Sequence, residues 1–131
     1  MRDWFNNLTA NVALKPQIAA ITALVGEIVD HGNAEEVIYV VTTGVITDAD
    51  ATFVISLEHG EASNLSDTAD AAAFLSGTLT FTFASDTVTR KIRYKGLKRY
   101  GRLTITGTND AGATPVAAVA LLCQQRVQPT S

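Results

Sequence analysis

Polar and hydrophobic positions alternate with a period of two along three segments of the chain. Residues 78–83 place Leu and Phe on one side and Thr on the other. Residues 88–94 alternate in the same way, except that Arg90 interrupts the apolar side, and residues 102–108 repeat the pattern. A period of two is that of a β-strand with one buried and one solvated face. Each of these segments is therefore predicted to form a strand.

Other segments are apolar without alternation. Residues 37–43 form a short run rich in β-branched side chains, which is typical of a central strand covered on both faces. Residues 116–122 form a second run, which we interpret as the last buried strand. Residues 52–57 are predicted as a further strand, and the turn-forming clusters at residues 30–33 and 109–112 separate these elements.

Residues 14–29 leave two interpretations open. Apolar side chains recur there at the helical spacing of four and three residues: Leu14, Ile18, Ile21, Val25 and Ile28. Pro16, Gly26 and several β-branched side chains oppose a helix. We favour two short strands that are broken near Gly26.

The two ends of the chain are expected to lie outside the main domain. Residues 1–16 are predicted to form an extended arm, because polar residues interrupt every apolar period and Pro16 discourages a helix. The bulky side chains of Trp4, Phe5 and Leu8 nevertheless require burial, either against a partner or over an open end of the domain. Residues 125–131 are predicted to be a flexible tail.

Regularly spaced short strands with turns between them predict an all-β fold. The expected architecture is a single-domain antiparallel β-sandwich or barrel, jelly-roll-like, over residues 17–124. One short helix is expected at residues 69–75, with Asp67 as its N-terminal cap. A chain of 131 residues has the length of one domain.

Composition narrows the class of protein further. An apolar fraction of 47% excludes disorder as the main state. The single cysteine, Cys123, excludes an internal disulfide framework and a multi-thiolate zinc site. The longest apolar run, residues 115–123, is about half the length of a membrane span, and the first residues do not resemble a signal peptide. We therefore expect a soluble domain made in the cytoplasm, with no membrane partner.

Charge is segregated along the chain, although the net charge is only −3. No Lys or Arg occurs in residues 16–89, whereas residues 87–109 contain no acid and seven of the 10 basic residues. Three interpretations compete. The basic segment pairs with acidic strands of the same chain, or docks on an acidic partner or sister subunit, or binds nucleic acid. A pI of about 5.2 disfavours nucleic acid.

No combination of residues indicates catalysis or ligand binding. His31 and His59 each precede a glycine in an expected turn, so both are predicted to be solvated. Asp48 and Asp50 are expected to form a plain turn rather than a cation site, and Cys123 to be a buried small hydrophobe. Nucleotide-binding and hydrolase motifs are missing. We expect no enzymatic activity, no cofactor, no metal and no small-molecule substrate.

One stretch carries a family resemblance. Residues 94–102 read YKGLKRYGR, and a Thr-rich strand and the Ala/Val segment 117–120 follow. This order resembles small structural proteins of tailed bacteriophages, in which a YxGxKRYxR hairpin precedes two such strands. Gly101 departs from the pattern, which usually has a β-branched residue there, so the second strand is expected to pack differently at this position.

The resemblance implies a capsid decoration (cement) protein, a β domain on the outside of an icosahedral head, commonly a trimer. The implied partners are the major capsid protein and sister subunits of a homotrimer, and the implied location is the capsid surface of the virion. The expected contact residues are Trp4, Phe5, Leu8, Tyr94, Lys95, Lys98, Arg99, Tyr100 and Arg102. For the two tyrosines, a place in the core or a cross-strand pair is the favoured alternative. Other functions left open are a tail, neck or head-fibre component and a carbohydrate-binding sandwich.

Overall fold

The computed structural model describes residue 5 and residues 8–19, 23–32, 34–85, 87–109 and 114–125. Two antiparallel sheets pack face to face in a β-sandwich, which confirms the all-β prediction. The strands are β1 (Leu8–Ala19), β2 (Leu24–Asp30), β3 (Ala34–Thr43), β4 (Thr52–Gly60), β5 (Ala69–Asp70), β6 (Leu75–Ser76), β7 (Thr80–Thr82), β8 (Thr89–Tyr94), β9 (Tyr100–Thr108) and β10 (Thr114–Gln125).

The first sheet has the strand order β1-β10-β3-β8-β6, and the second has the order β2-β9-β4-β5, with β7 also paired to β4. The core lies between the sheets and contains Tyr39, Phe53, Phe81 and Ile92. In β8 and β9 buried and exposed residues alternate as the sequence predicts. Arg90 does lie in the inward phase of β8, and its guanidinium stacks over the Phe81 ring, 5.1 Å from the centroid.

The predicted arm is wrong for residues 8–16, because they belong to β1, which pairs along its length with β10. Register shifts on either side of Leu14 accommodate Pro16, which is tolerated because β1 is an edge strand. Ala13 and Leu14 thereby enter the core. Trp4 and the expected tail beyond Gln125 lie outside the described residues.

The described part of the ambiguous segment 14–29 belongs to two strands, β1 and β2, and not to a helix. The expected break at Gly26 is wrong, because β2 begins at Leu24 and continues through Gly26 to Asp30. Gly26 is inside β2, where a side-chain carbon would overlap the Ala13 carbonyl oxygen and lie 2.7 Å from the Leu103 carbonyl oxygen. A glycine here permits the close approach of neighbouring backbones.

The helix expected at residues 69–75 is wrong in its extent, because the structure has only a 3-10 turn at Ala72–Phe74, between β5 and β6. Asp67 does not cap it, since its carboxylate accepts hydrogen bonds from the backbone N–H groups of Glu61 and Ala62. Asp70 accepts the N–H of Ala72 instead. Over the described residues, no helix has the length and apolarity that crossing a membrane requires.

The two continuous apolar segments form β3 and β10, neighbours in the middle of the first sheet. Their inward side chains, such as Tyr39 and Ala120, are buried in the core. Their outward side chains, such as Val40 and Val119, keep part of their surface exposed. The prediction that 37–43 is covered on both faces is therefore wrong for the described part of the chain.

Candidate functional site

The basic segment centres on residues 95–99, here called the basic loop, which connect β8 to β9. These two strands belong to different sheets: β8 pairs with β3 and β6, and β9 pairs with β2 and β4. The predicted hairpin is therefore wrong, and the chain crosses from one sheet to the other through the basic loop. The loop lies at one end of the sandwich.

Tyr94 anchors the start of the loop from the core. Its hydroxyl lies 2.7 Å from His59 Nδ1 and takes part in a hydrogen bond with the Lys98 backbone. Gly96 lies directly against the Tyr94 ring, where a side-chain carbon would overlap it. The backbone N–H of Lys95 donates to the Phe74 carbonyl at 3.0 Å. Because Tyr94 is buried, the core alternative for this residue is the one that the structure supports.

His31 anchors the end of the loop. Its backbone N–H donates to the Arg99 carbonyl at 2.6 Å. The ring Nδ1 lies 3.1 Å from the Lys98 carbonyl oxygen, and Nε2 lies 2.7 Å from the Tyr39 hydroxyl. A carbonyl only accepts, so the neutral ring donates from Nδ1 and accepts the Tyr39 proton at Nε2.

Both histidines are buried, so the prediction that they are solvated is wrong. Burial is the main cause that lowers the pKa of each ring, and the charge of Lys98 lowers the pKa of His59 further. Burial also raises the pKa of the Tyr39 and Tyr94 phenols. The four groups therefore form a neutral hydrogen-bonded cluster under the basic loop.

Gly101 makes room for this cluster. A side-chain carbon at residue 101 would lie 2.7 Å from His31 Cε1 and 2.9 Å from the Tyr39 hydroxyl. A β-branched residue, as in the resembled family, cannot occupy this place beside His31. The departure at Gly101 is thus matched to the buried histidine.

Three arginines of the basic segment pair with acids of the same chain. Arg99 makes a bidentate contact with Asp30, with Nε–Oδ1 at 3.0 Å and Nη2–Oδ2 at 3.1 Å. The Arg99 hydrogen bond is the main cause that lowers the pKa of Asp30. Two further pairs join neighbouring strands: Arg102 Nε to Glu58 at 2.6 Å, and Arg93 Nε to Glu36 at 2.5 Å. Intramolecular neutralisation thus accounts for these side chains.

The lysines of the loop behave differently. Lys95 and Lys98 are exposed, and neither forms an ion pair with a described residue. Leu97 between them is 84% exposed. The loop therefore presents two cations and an apolar side chain to solvent on a backbone that the core holds in place.

The other predicted contact residues are Tyr100, Leu8, Phe5 and Trp4. Tyr100 is half-buried beside the Arg99 guanidinium, 5.2 Å from its ring centroid. Leu8 lies at the start of β1 and begins a row of neighbouring residues across the first sheet. The row continues through Cys123 of β10 to Glu36 of β3. Glu36 is one position before the pair Val37–Tyr94, so the next place in the row falls just after Tyr94. This row ends at the basic loop, about 14 Å away across three strand spacings. Phe5 is exposed, and Trp4 lies outside the described residues.

The remaining predictions concern the turn at Asp48 and Asp50, the thiol of Cys123 and the grouping of metal-ligating side chains. Asp48 accepts the Asp50 backbone N–H at 3.0 Å, so a plain turn is confirmed there. Cys123 is buried, as expected, and burial raises the pKa of its thiol. Among the described residues, no three His, Cys, Asp or Glu side chains are grouped as metal ligands.

One signal in the sequence could have located His59. Phe53, Ile55 and Leu57 are the inward positions of β4, and His59 continues the same phase. No comparable local signal exists for His31, whose partners lie on other strands.

No protein-family model matches the sequence, and no curated protein matches it significantly. Solved structures that match this chain include the SPBc2 prophage-derived protein YomS, with 13% identity, 88% of this chain and 93% of that chain covered, and a TM-score of 0.49. A protein of the disulfide-linked pili of Bacillus endospore appendages has 15% identity, coverage of 88% and 86%, and a TM-score of 0.44.

The N-terminal CBM22-1–GH10 modules of Clostridium thermocellum xylanase 10B, in complex with xylohexaose, have 11% identity and a TM-score of 0.44. That match covers 98% of this chain but 28% of the xylanase chain. Likenesses at this level assign no function to the present chain.

Proposed function

We propose that the protein is a non-enzymatic structural protein of a tailed-bacteriophage virion. In this proposal it decorates the outer surface of the icosahedral head as a homotrimer, binds the major capsid protein and stabilises the shell. The observation that carries the proposal is the basic loop, whose exposed Lys95, Leu97 and Lys98 are held by a buried anchor. The resemblance of residues 94–102 to phage structural proteins supports it.

A preordered loop suits docking because little conformational entropy is lost on binding. Two cations that form no ion pair among the described residues favour an acidic surface and set the orientation of the encounter. Leu97 supplies an apolar contact between them, and Leu8 lies on the same end of the sandwich. Individually weak contacts of this kind add through avidity when several subunits are engaged at once.

The test is co-sedimentation with mature head shells of the corresponding phage, stripped of accessory proteins, over a salt series. The wild-type protein is expected to bind saturably and to dissociate at high salt, because exposed charges are screened. Lys95→Glu combined with Lys98→Glu is expected to lower the affinity at least tenfold. The matched control, Lys95→Arg with Lys98→Arg, keeps both charges and should bind normally.

Unchanged occupancy by the charge-reversed variant would remove the basic loop from the contact. If the wild type does not bind intact shells, the decoration role is wrong. A tail or neck component then becomes the better proposal, and portal and tail-tube proteins are the partners to test.

A further inference from the structure

The outer face of the first sheet is apolar across three neighbouring strands. Strand register aligns Val12 with Val119 and Val40 in one row, and Ala10 with Leu121 and Ile38 in the next. We call this surface the outer apolar face; its outward side chains are those of Leu8, Ala10, Val12, Ile38, Val40, Ala117, Val119 and Leu121.

This face is open to solvent in the single chain. Val12 is 51% exposed and Val119, which lies directly beside it, is 39% exposed. None of the eight side chains carries a charge. The nearest charges border it directly: on β8, Lys91 is in register with Val40 and Arg93 with Ile38, and Glu36, the ion-pair partner of Arg93, lies at the end of the face on β3.

The second sheet shows what a solvent-facing surface of the same domain looks like. Its central strand β9 turns Thr104, Thr106 and Thr108 outward, and β4 adds Ser56 and the Glu58–Arg102 pair. The exposed valines of this sheet, Val25 and Val54, are each in register with one of these threonines, so they form no apolar row. A sandwich that needed only to be soluble would carry such residues on both outer faces. The difference between the two faces indicates that the apolar one is covered in the working protein.

The apolar runs of β3 and β10 support the same conclusion. Strands that are hydrophobic at successive positions are typical of sheets buried on both sides. Here the core covers one side only. The apolar surface also continues past the middle of the sheet into a groove of about 550 Å³, lined by Pro16, Ile18, Pro115 and Ala117 among others.

The size of the face fits a contact between copies of the chain. Strands lie about 4.8 Å apart and rise about 3.3 Å per residue, so three strands of about ten residues span roughly 15 by 33 Å, or about 500 Å². Two such faces bury about 1,000 Å² together, which reaches the lower limit for a specific interface.

We propose that a second copy of this chain packs on the outer apolar face, sheet against sheet. A twofold axis parallel to β10 would place β1 of one copy over β3 of the other, with β8 and its charges outside the contact. Valine and leucine side chains from both faces would then fill the space of about 10 Å between the sheets. This inference does not depend on binding to the capsid, and its twofold contact is an alternative to the homotrimer of the decoration proposal.

The test is the mass of the protein by sedimentation equilibrium. The wild type is expected above the monomer mass of 13.9 kDa. Val119→Lys and Val12→Lys are each expected to give the monomer, because a lysine ammonium cannot be left unpaired in an apolar contact. The matched control is Thr106→Lys, in the central strand of the second sheet, which should keep the wild-type mass.

A monomeric wild type at about 100 μM, or a Val119→Lys variant with the wild-type mass, would overturn the proposal. If Val119→Lys fails to fold, Val119→Thr replaces it, because this change is nearly isosteric; dissociation should increase at least about tenfold. A dimer would support the contact, whereas a trimer would overturn it, because a twofold contact between identical faces closes with two copies. If the wild type is monomeric and Val119→Lys loses shell binding, the face belongs to a capsid contact.

Discussion

At the scale of single residues, the most informative feature is the pair of buried histidines. His59 follows the inward phase of β4, so its burial could have been predicted from the sequence. His31 could not, because its partners are the Tyr39 hydroxyl and the Lys98 carbonyl, the latter 67 residues away. Local sequence patterns report which face a residue occupies, but not which distant group satisfies its hydrogen bonds.

The lowered pKa values of the two buried histidines predict how the free energy of unfolding depends on pH. Burial lowers the pKa of His31 and His59 below the ordinary 6.5, so the unfolded chain binds more protons between the two values. The free energy of unfolding should therefore be greatest above about pH 6.5 and fall as the pH decreases toward the folded pKa. The slope is at most about 1.4 kcal/mol per pH unit for each histidine.

Urea denaturation at several pH values between 7.5 and 5 measures this effect. The window separates the histidines from Asp30, whose lowered pKa matters only near or below its ordinary 3.8. His31→Gln and His59→Gln should each flatten the profile. A wild-type free energy of unfolding that stays constant over the window would contradict the assignment.

At the scale of elements, strand positions follow from sequence far better than strand partners do. The segments of β3, β4, β8, β9 and β10 are each foreseen, because alternation and apolar runs are local. The pairing of β8 with β3 rather than with β9 is a long-range property, so the expected hairpin is wrong. The edge position of β1 likewise explains why Pro16 does not prevent a strand.

The connection between β8 and β9 depends on its anchor. Tyr94→Phe removes the hydroxyl that contacts His59 and the Lys98 backbone. Loss of one buried hydrogen-bonding group is expected to cost about 1–2 kcal/mol. Amide hydrogen exchange at residues 96–99 should accelerate more than exchange in β3, because the loop loses one of the hydrogen bonds that hold it to the core.

Tyr100→Phe is the matched control, since Tyr100 is half-buried and lies outside the cluster. It should leave exchange in the loop near the wild-type rate. Equal exchange rates for Tyr94→Phe and the wild type would show that the loop is ordered by other contacts.

At the scale of the whole molecule, the two sheets present unlike surfaces to their surroundings. The second sheet faces outward with threonine and paired charges around two single valines, whereas the first faces outward with neighbouring rows of valine, leucine, isoleucine and alanine. The loop with Lys95 and Lys98 lies at one end of the sandwich. The continuous apolar runs at residues 37–43 and 116–122 indicate this outer apolar face in the sequence. A single sequence does not show which molecule covers the face.

The most direct test of the decoration role is where the protein resides in purified virions and in how many copies. Heads and tails are separated after disruption, and the protein is quantified in each against the major capsid and portal proteins. The account predicts that the protein accompanies the heads, in a fixed ratio to the major capsid protein and far in excess of the portal. Recovery with the tails, or in a copy number like that of the portal, would contradict it.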